Sequence, residues 1–173
     1  QPRLILRGFA SIGKPAVSFD GSRVVFAGRR AAEDPVEVWE TSVNGSAARP
    51  IVRGGECLDP AYLPDGRIVY GRIVAGAGPG SPAALHTCLP GGEGERRITF
   101  GEARDVSPVV LPDGRVAFRR KLLAPGAAGR IFAVNPDGTG VQLFCDPASG
   151  ASIEGGPWVA GERVFFAEEM PGG

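Results

Sequence analysis

The chain carries 173 residues and 17.9 kDa, enough to bury one domain-sized core. Its 19 Lys plus Arg balance 19 Asp plus Glu, so it lacks the basic excess on which nucleic-acid binding rests. No run approaches the roughly 18 consecutive apolar residues of a membrane helix. No charged-then-apolar leader is visible, and the first residue is Gln1 rather than Met, which reads as a processed chain or a fragment.

In chain order, residues 1–8 ("QPRLILRG") read as a lone outer strand. Four similar units follow, anchored on Pro15, Pro60, Pro108 and Pro157 at spacings of 45, 48 and 49 residues. They are "KPAVSFDGSRVVFAG" (14–28), "DPAYLPDGRIVYG" (59–71), "SPVVLPDGRVAFR" (107–119) and "GPWVAGERVFFAE" (156–168). Each gives a short apolar strand after the Pro, at 16–19, 61–63, 109–111 and 158–160. A turn comes next, at Asp20-Gly21, Asp65-Gly66, Asp113-Gly114 and Gly161-Glu162. A second strand then opens on Arg and ends on an aromatic, at 23–26, 67–70, 115–118 and 163–166. A tight hairpin calls for positive φ at its central residues, which Gly accepts freely and Asp tolerates. The second half of each unit supplies two further strands, as in "VEVWETSVNGSAARPIV" (36–52), "AALHTCLPGGEGERRITF" (83–100) and "RIFAVNPDGTGVQLF" (130–144). No window sustains a 3.6-residue period, so almost no helix is expected. The 27 Gly and 16 Pro fall between apolar runs and read as turn punctuation.

Four short antiparallel strands repeated at this period predict an all-β, β-propeller-like fold with about three and a half four-stranded blades. The expected layout is one domain over residues 1–173. It comprises a lone outer strand in 1–12, blades in 13–56, 57–103 and 104–150, and a partial blade in 151–173. Propellers usually close with four to eight blades. The chain is therefore expected to be part of a larger propeller, to pair with a copy of itself, or to pack its open side on another subunit. Residues 4–6 could give their strand to the last blade. The loops at 29–35, 71–82 and 120–129 should emerge on one face, where partners would be read.

The units resemble the PD40 or TolB-type propeller repeat, built from a Pro, a short strand, a Pro-Asp-Gly turn and a second strand. Over about residues 12–145, "VSFDGSRVVFAGRR", "CLDPAYLPDGRIVY" and "SPVVLPDGRVAF…IFAVNPDGTGVQLF" resemble the propeller-like middle domain of the hydrazine synthase alpha subunit and its relatives. Those are exported bacterial proteins, several of them parts of multi-haem cytochrome assemblies. The resemblance implies a periplasmic or extracellular location. The family's haems are held by CxxCH. This chain has one His, His86 in "LHTC", and no such motif, so no cofactor is expected on it.

The remaining chemistry-bearing residues read as structural. His86 and Cys88 share a strand face by the period of two, yet a packed imidazole beside a buried thiol suffices. Cys57, Cys88 and Cys145 are too scattered for a zinc site or a readable disulfide framework. "NPDGTG" (135–140) falls short of the six oxygens of a calcium site. Glu168-Glu169 and Glu93/Glu95 lie in loops or at a chain end, unsuited to an acid/base pair. The "GAGPGSPAALH" region (76–86) lacks the Lys-Ser/Thr of a phosphate loop. Trp39 and Trp158 fall on predicted strands and are expected in the core. The doublets Arg29-Arg30 and Arg119-Arg120 fall at equivalent positions just after the second strands of blades one and three, and could form a basic rim for an acidic partner. The function expected is a non-catalytic scaffold that binds other protein subunits or a second copy, without nucleic acid or a membrane span. The alternative is an accessory or fragment subunit of an exported, hydrazine-synthase-like redox complex with its haems elsewhere.

Overall fold

A computed structural model describes residues 4–74, 80–148 and 151–169. No helix occurs among them. The first blade is β1 (Ser11–Val17), β2 (Arg23–Arg29), β3 (Glu37–Ser42) and β4 (Arg49–Val52), paired in that order. The second is β5 (Cys57–Tyr62), β6 (Ile68–Ile73), β7 (Ala83–Cys88) and β8 (Arg96–Arg97). The third is β9 (Ala103–Val110), β10 (Val116–Leu122), β11 (Arg130–Val134) and β12 (Gln142–Cys145). A parallel bridge, Ala83 to Arg104, ties β7 to β9 and links the second and third ladders. The partial fourth blade has two short antiparallel pairs: β13 (Ser152–Ile153) with β16 (Glu168–Glu169), and β14 (Trp158–Ala160) with β15 (Arg163–Phe165). The loop expected at 71–82 lies in part outside the described residues, as does the start of the "GAGPGSPAALH" region.

The Pro-Asp-Gly turn differs from the expected two-residue hairpin. In blade two the Leu63 amide donates to the Arg67 carbonyl (2.7 Å) and the Gly66 amide to the Leu63 carbonyl (2.9 Å). The loop is thus Pro64-Asp65-Gly66, and only Gly66 takes positive φ, at 86°. Pro presets the first loop position and Gly supplies the left-handed one. Asp65 keeps ordinary backbone geometry and works through its carboxylate, which accepts from the Arg67 amide (3.1 Å) and guanidinium (2.7 Å). Asp113 and Arg115 repeat this at 3.0 and 2.8 Å. That is why Arg follows the Pro-Asp-Gly turns at 64–66 and 112–114; at 136–138 Thr139 takes the place of Arg and donates to Asp137 through its amide (2.9 Å) and hydroxyl (2.7 Å).

Alternation along the second strand sends side chains to both faces of a blade, so blades stack face to face. Ile68 and Tyr70 meet Val25 and Val38 of blade one, while Val69 meets Val116 and Phe118 of blade three. Ala117 and Ile131 in turn meet Ile153. A second rule emerges on the face toward the preceding blade. Phe26 stands opposite Trp39, Tyr70 opposite His86, and Phe118 opposite Phe132. Each blade thus carries a ring pair on its second and third strands.

Two expectations change. Trp39 is buried, but Trp158 is 48 % exposed and stacks on Phe165, also exposed, at 5.9 Å. Its strand, β14, pairs only with β15 among the described residues, in a two-stranded sheet. Residues 4–8 form no strand. Residues 4–7 run beside the β3–β4 turn of blade one.

Candidate functional site

The inner strands of all four units line a cavity of about 280 Å³, walled by Lys14, Phe19, Asp59, Tyr62, Val110 and Trp158 among others. Each complete inner strand bulges at the same point: between Ile12 and Pro15, between Leu58 and Ala61, and between Val106 and Val109. The bulge forces Asp59 to φ 46° and Ser107 to φ 55°, directly before a proline. Left-handed backbone is uncommon for non-glycine residues, and a following proline favours extended geometry. The Ser107 hydroxyl donates to the Asp59 carboxylate (2.8 Å) and ties the two bulges together. Gly156, their counterpart in blade four, sits so close that an added Cβ would lie 2.3 Å from that of Ser107. Lys14 holds the position in blade one. Strain of this kind persists only where surrounding contacts enforce it.

Each arginine of the suggested rim is engaged within the chain. Arg29 donates to the Ala32 carbonyl (3.0 Å) and pairs with Glu56 at 3.5 Å. Arg30 donates to the Gly8 carbonyl (3.0 Å) and covers the rings of Phe9 and Trp39. Arg119 meets Glu154 at 3.4 Å. Arg120 grips Asp105 with two hydrogen bonds, 2.7 and 2.6 Å, and lies over Phe118 and Phe132. The doublets also differ in register: Arg29 ends β2, whereas Arg119 and Arg120 lie inside β10. Arg30 and Arg120 are lids on the ring pairs of their blades.

Glu40 was not singled out by the sequence reading. It is buried on β3, accepts from Tyr62 of blade two (2.8 Å), and is held by Arg23 (3.3 Å) and Arg49 (2.5 Å). The available signal was parity, since Glu40 shares a strand face with the core residue Val38.

The only histidine stacks on Tyr70 at 5.9 Å, with its Nδ1 3.0 Å from Glu95. Neither ring nitrogen makes an aligned hydrogen bond among the described residues, and the Tyr70 hydroxyl is likewise unaligned, so Glu95 acts on both through its charge. Burial pushes the His86 pKa down, with Glu95 opposing. Burial also pushes the thiols of Cys57 and Cys88 up to about 12, far from the thiolate a nucleophile needs. These two cysteines do not pair. Cys57 faces Arg72 and Cys88 faces Ile68, four residues apart on β6. That is ~13 Å along the strand, beyond the ~7 Å disulfide limit.

His86 therefore sets a pH dependence. Its folded pKa lies below the ordinary 6.5, so its contribution is intact above that value. As pH falls through 6.5 the unfolded chain binds a proton that the fold resists, and stability declines. A urea series between pH 7.5 and 5 should show this decline in the natural chain and a flatter profile for His86→Leu. An unchanged profile in the variant would mean that His86 charges freely. Asp113 and Asp137 are held below 3.8, and Asp20 at about 2, by hydrogen bonds within their turns. Their loss, as pH falls below 3.8, should survive in the variant.

No protein-family model matches the chain, and no curated protein matches it. Solved structures do. Hydrazine synthase of Kuenenia stuttgartiensis aligns over 95 % of this chain and 30 % of its own, at 17 % identity and a TM-score of 0.74. A TolB from Agrobacterium tumefaciens aligns over 83 % of this chain and 52 % of its own, at 20 % identity and a TM-score of 0.71. The fold is that of a TolB-type β-propeller. A puromycin-hydrolyzing peptidase of Mycobacterium tuberculosis shares it at 17 % identity, over 84 % of this chain and 24 % of its own, with a TM-score of 0.67. The chain thus spans about half the TolB structure and under a third of the hydrazine synthase chain. Such a propeller hosts unrelated activities, so the likeness carries the fold and leaves function to the site.

Proposed function

We propose that this stretch of TolB-like propeller is a non-catalytic scaffold that binds other protein subunits within an assembly, in the periplasm or outside the cell. The observation that supports it most is the Trp158–Phe165 stack, which leaves two large rings partly in water, Trp158 on the wall of the inner-strand cavity. Aromatic residues of this kind anchor protein interfaces, while of the groups suited to covalent chemistry Cys57 and Cys88 are packed between blades and His86 is largely covered. The test is native mass spectrometry of the protein from its natural source, beside a Trp158→Ala/Phe165→Ala variant. The variant should fold as before and bind its partner at least ~30-fold more weakly, since a central aromatic anchor carries about 2 kcal/mol or more. Undiminished binding would remove this surface from the proposal. A second reading, an accessory part of a hydrazine-synthase-like redox complex with haems on other segments, is favoured by the 95 % coverage against hydrazine synthase. Soret absorption co-purifying with the assembly would support it.

A further inference from the structure

Residues 3–8, "RLILRG", repeat residues 49–54, "RPIVRG", and the latter are β4 and its exit toward blade two. The spans that follow match as well, eight residues from Val52 to Pro60 and nine from Leu6 to Pro15. The placement agrees. The Ile51 carbonyl of blade one abuts Gly92 in the β7–β8 turn, and the Ile98 carbonyl of blade two abuts Gly138 in the β11–β12 turn. In blades one and two an isoleucine, within the fourth strand or just after it, thus leans on the outer turn of the next blade. Residues 4–7 lie across from Gly45 to Ala48, the outer turn of blade one, around a shared cavity of about 400 Å³. Ile5 thus faces the outer turn of blade one across this cavity, on the side from which Ile51 and Ile98 reach the turns of blades two and three.

The flank of blade one tells the same story. Tyr62 and Val110 are covered by the preceding blade, yet Val17, at the same repeat position, is 59 % exposed, and Leu4 is 67 % exposed. The ring pair Phe26 and Trp39 is shielded by Phe9, edge-on at 5.1 Å to each, under Arg30. We propose that residues 4–6 are the fourth strand of a further blade. Its first three strands are a stretch of the same polypeptide N-terminal to Gln1, docked on the flank marked by Leu4, Phe9 and Val17. One polypeptide is the source because the run from residue 4 into β1 reproduces the connection between consecutive blades. This rests on the fold and not on the scaffold reading, and no partner assay bears on it.

The experiment compares hydrogen exchange in the natural polypeptide with that in residues 1–173. Amides within residues 4–7 should exchange at least ~10-fold more slowly in the natural polypeptide, through pairing with a third strand. Val17→Arg should leave the melting of residues 1–173 unchanged, because the site is exposed there, and should lower both melting and this protection in the natural polypeptide. Free exchange of residues 4–7 in both proteins would overturn the proposal. So would a natural polypeptide starting near Gln1, protection that disappears when a separate subunit is removed, or an innocuous Val17→Arg in the natural polypeptide.

Discussion

Replacing Asp105 with alanine is expected to cost the fold about 3 kcal/mol, the lower end of what removing one partner of a buried ion pair costs. Asp105 on β9 lies directly across the ladder from Arg120 on β10. Its side chain is 3 % exposed and that of Arg120 is 16 %, and two hydrogen bonds of 2.7 and 2.6 Å join them. The guanidinium also rests on Phe118 and Phe132, the ring pair facing blade two. Without the carboxylate, a positive charge remains between two blades with no counter-charge. For a chain of this length the loss corresponds to a fall in melting temperature of roughly 6–12 °C. Asp105→Leu combined with Arg120→Met removes both charges at similar volume and should regain most of it. Thermal unfolding of the three proteins decides the matter. If Asp105→Ala melts within a degree of the natural chain, water reaches Arg120 and the pair is decoration.

The blade order was legible because its signals are local. Proline, Asp-Gly and an Arg-led strand recur within a few residues of one another, and strand parity then assigns each side chain to a face. Parity separates Val69 from its neighbours Ile68 and Tyr70 with no structure at all. It cannot say whether another blade exists to cover the face, which is why Trp158 was expected inside and lies half in water. The intrachain partners of the arginine doublets were illegible for a related reason. A charge run shows what is present, and only the ladder shows that Asp105 faces Arg120 or that Arg30 sits on Phe9. The positive φ of Asp59 and Ser107 runs against the local rule for residues before proline. It arises from bulges shared across blades, a tertiary demand with no local trace.

The second large effect is expected where blades meet at their outer ends. Gly92 has φ +96°, and a Cβ there would lie 1.9 Å from the backbone oxygen of Ile51 in the neighbouring blade. Gly21 has φ +71° with open space around it. Gly21→Ala should therefore cost only the left-handed penalty, about 1–2 kcal/mol. Gly92→Ala should add an overpacking cost of ~1–3 kcal/mol or more, because a backbone carbonyl cannot rotate aside as a side chain can. The strain would be relieved by parting blades one and two near the Arg49 contact with the Pro90 carbonyl, now 3.2 Å. Urea unfolding of both variants separates the two costs. Equal losses would mean that the outer ends of the blades are loosely apposed, and a propeller that hinges there could not hold Trp158 and the inner-strand cavity in a fixed relation to a partner. A markedly larger loss for Gly92→Ala would mean that each fourth strand is clamped against the next turn, the rigidity on which a scaffold depends.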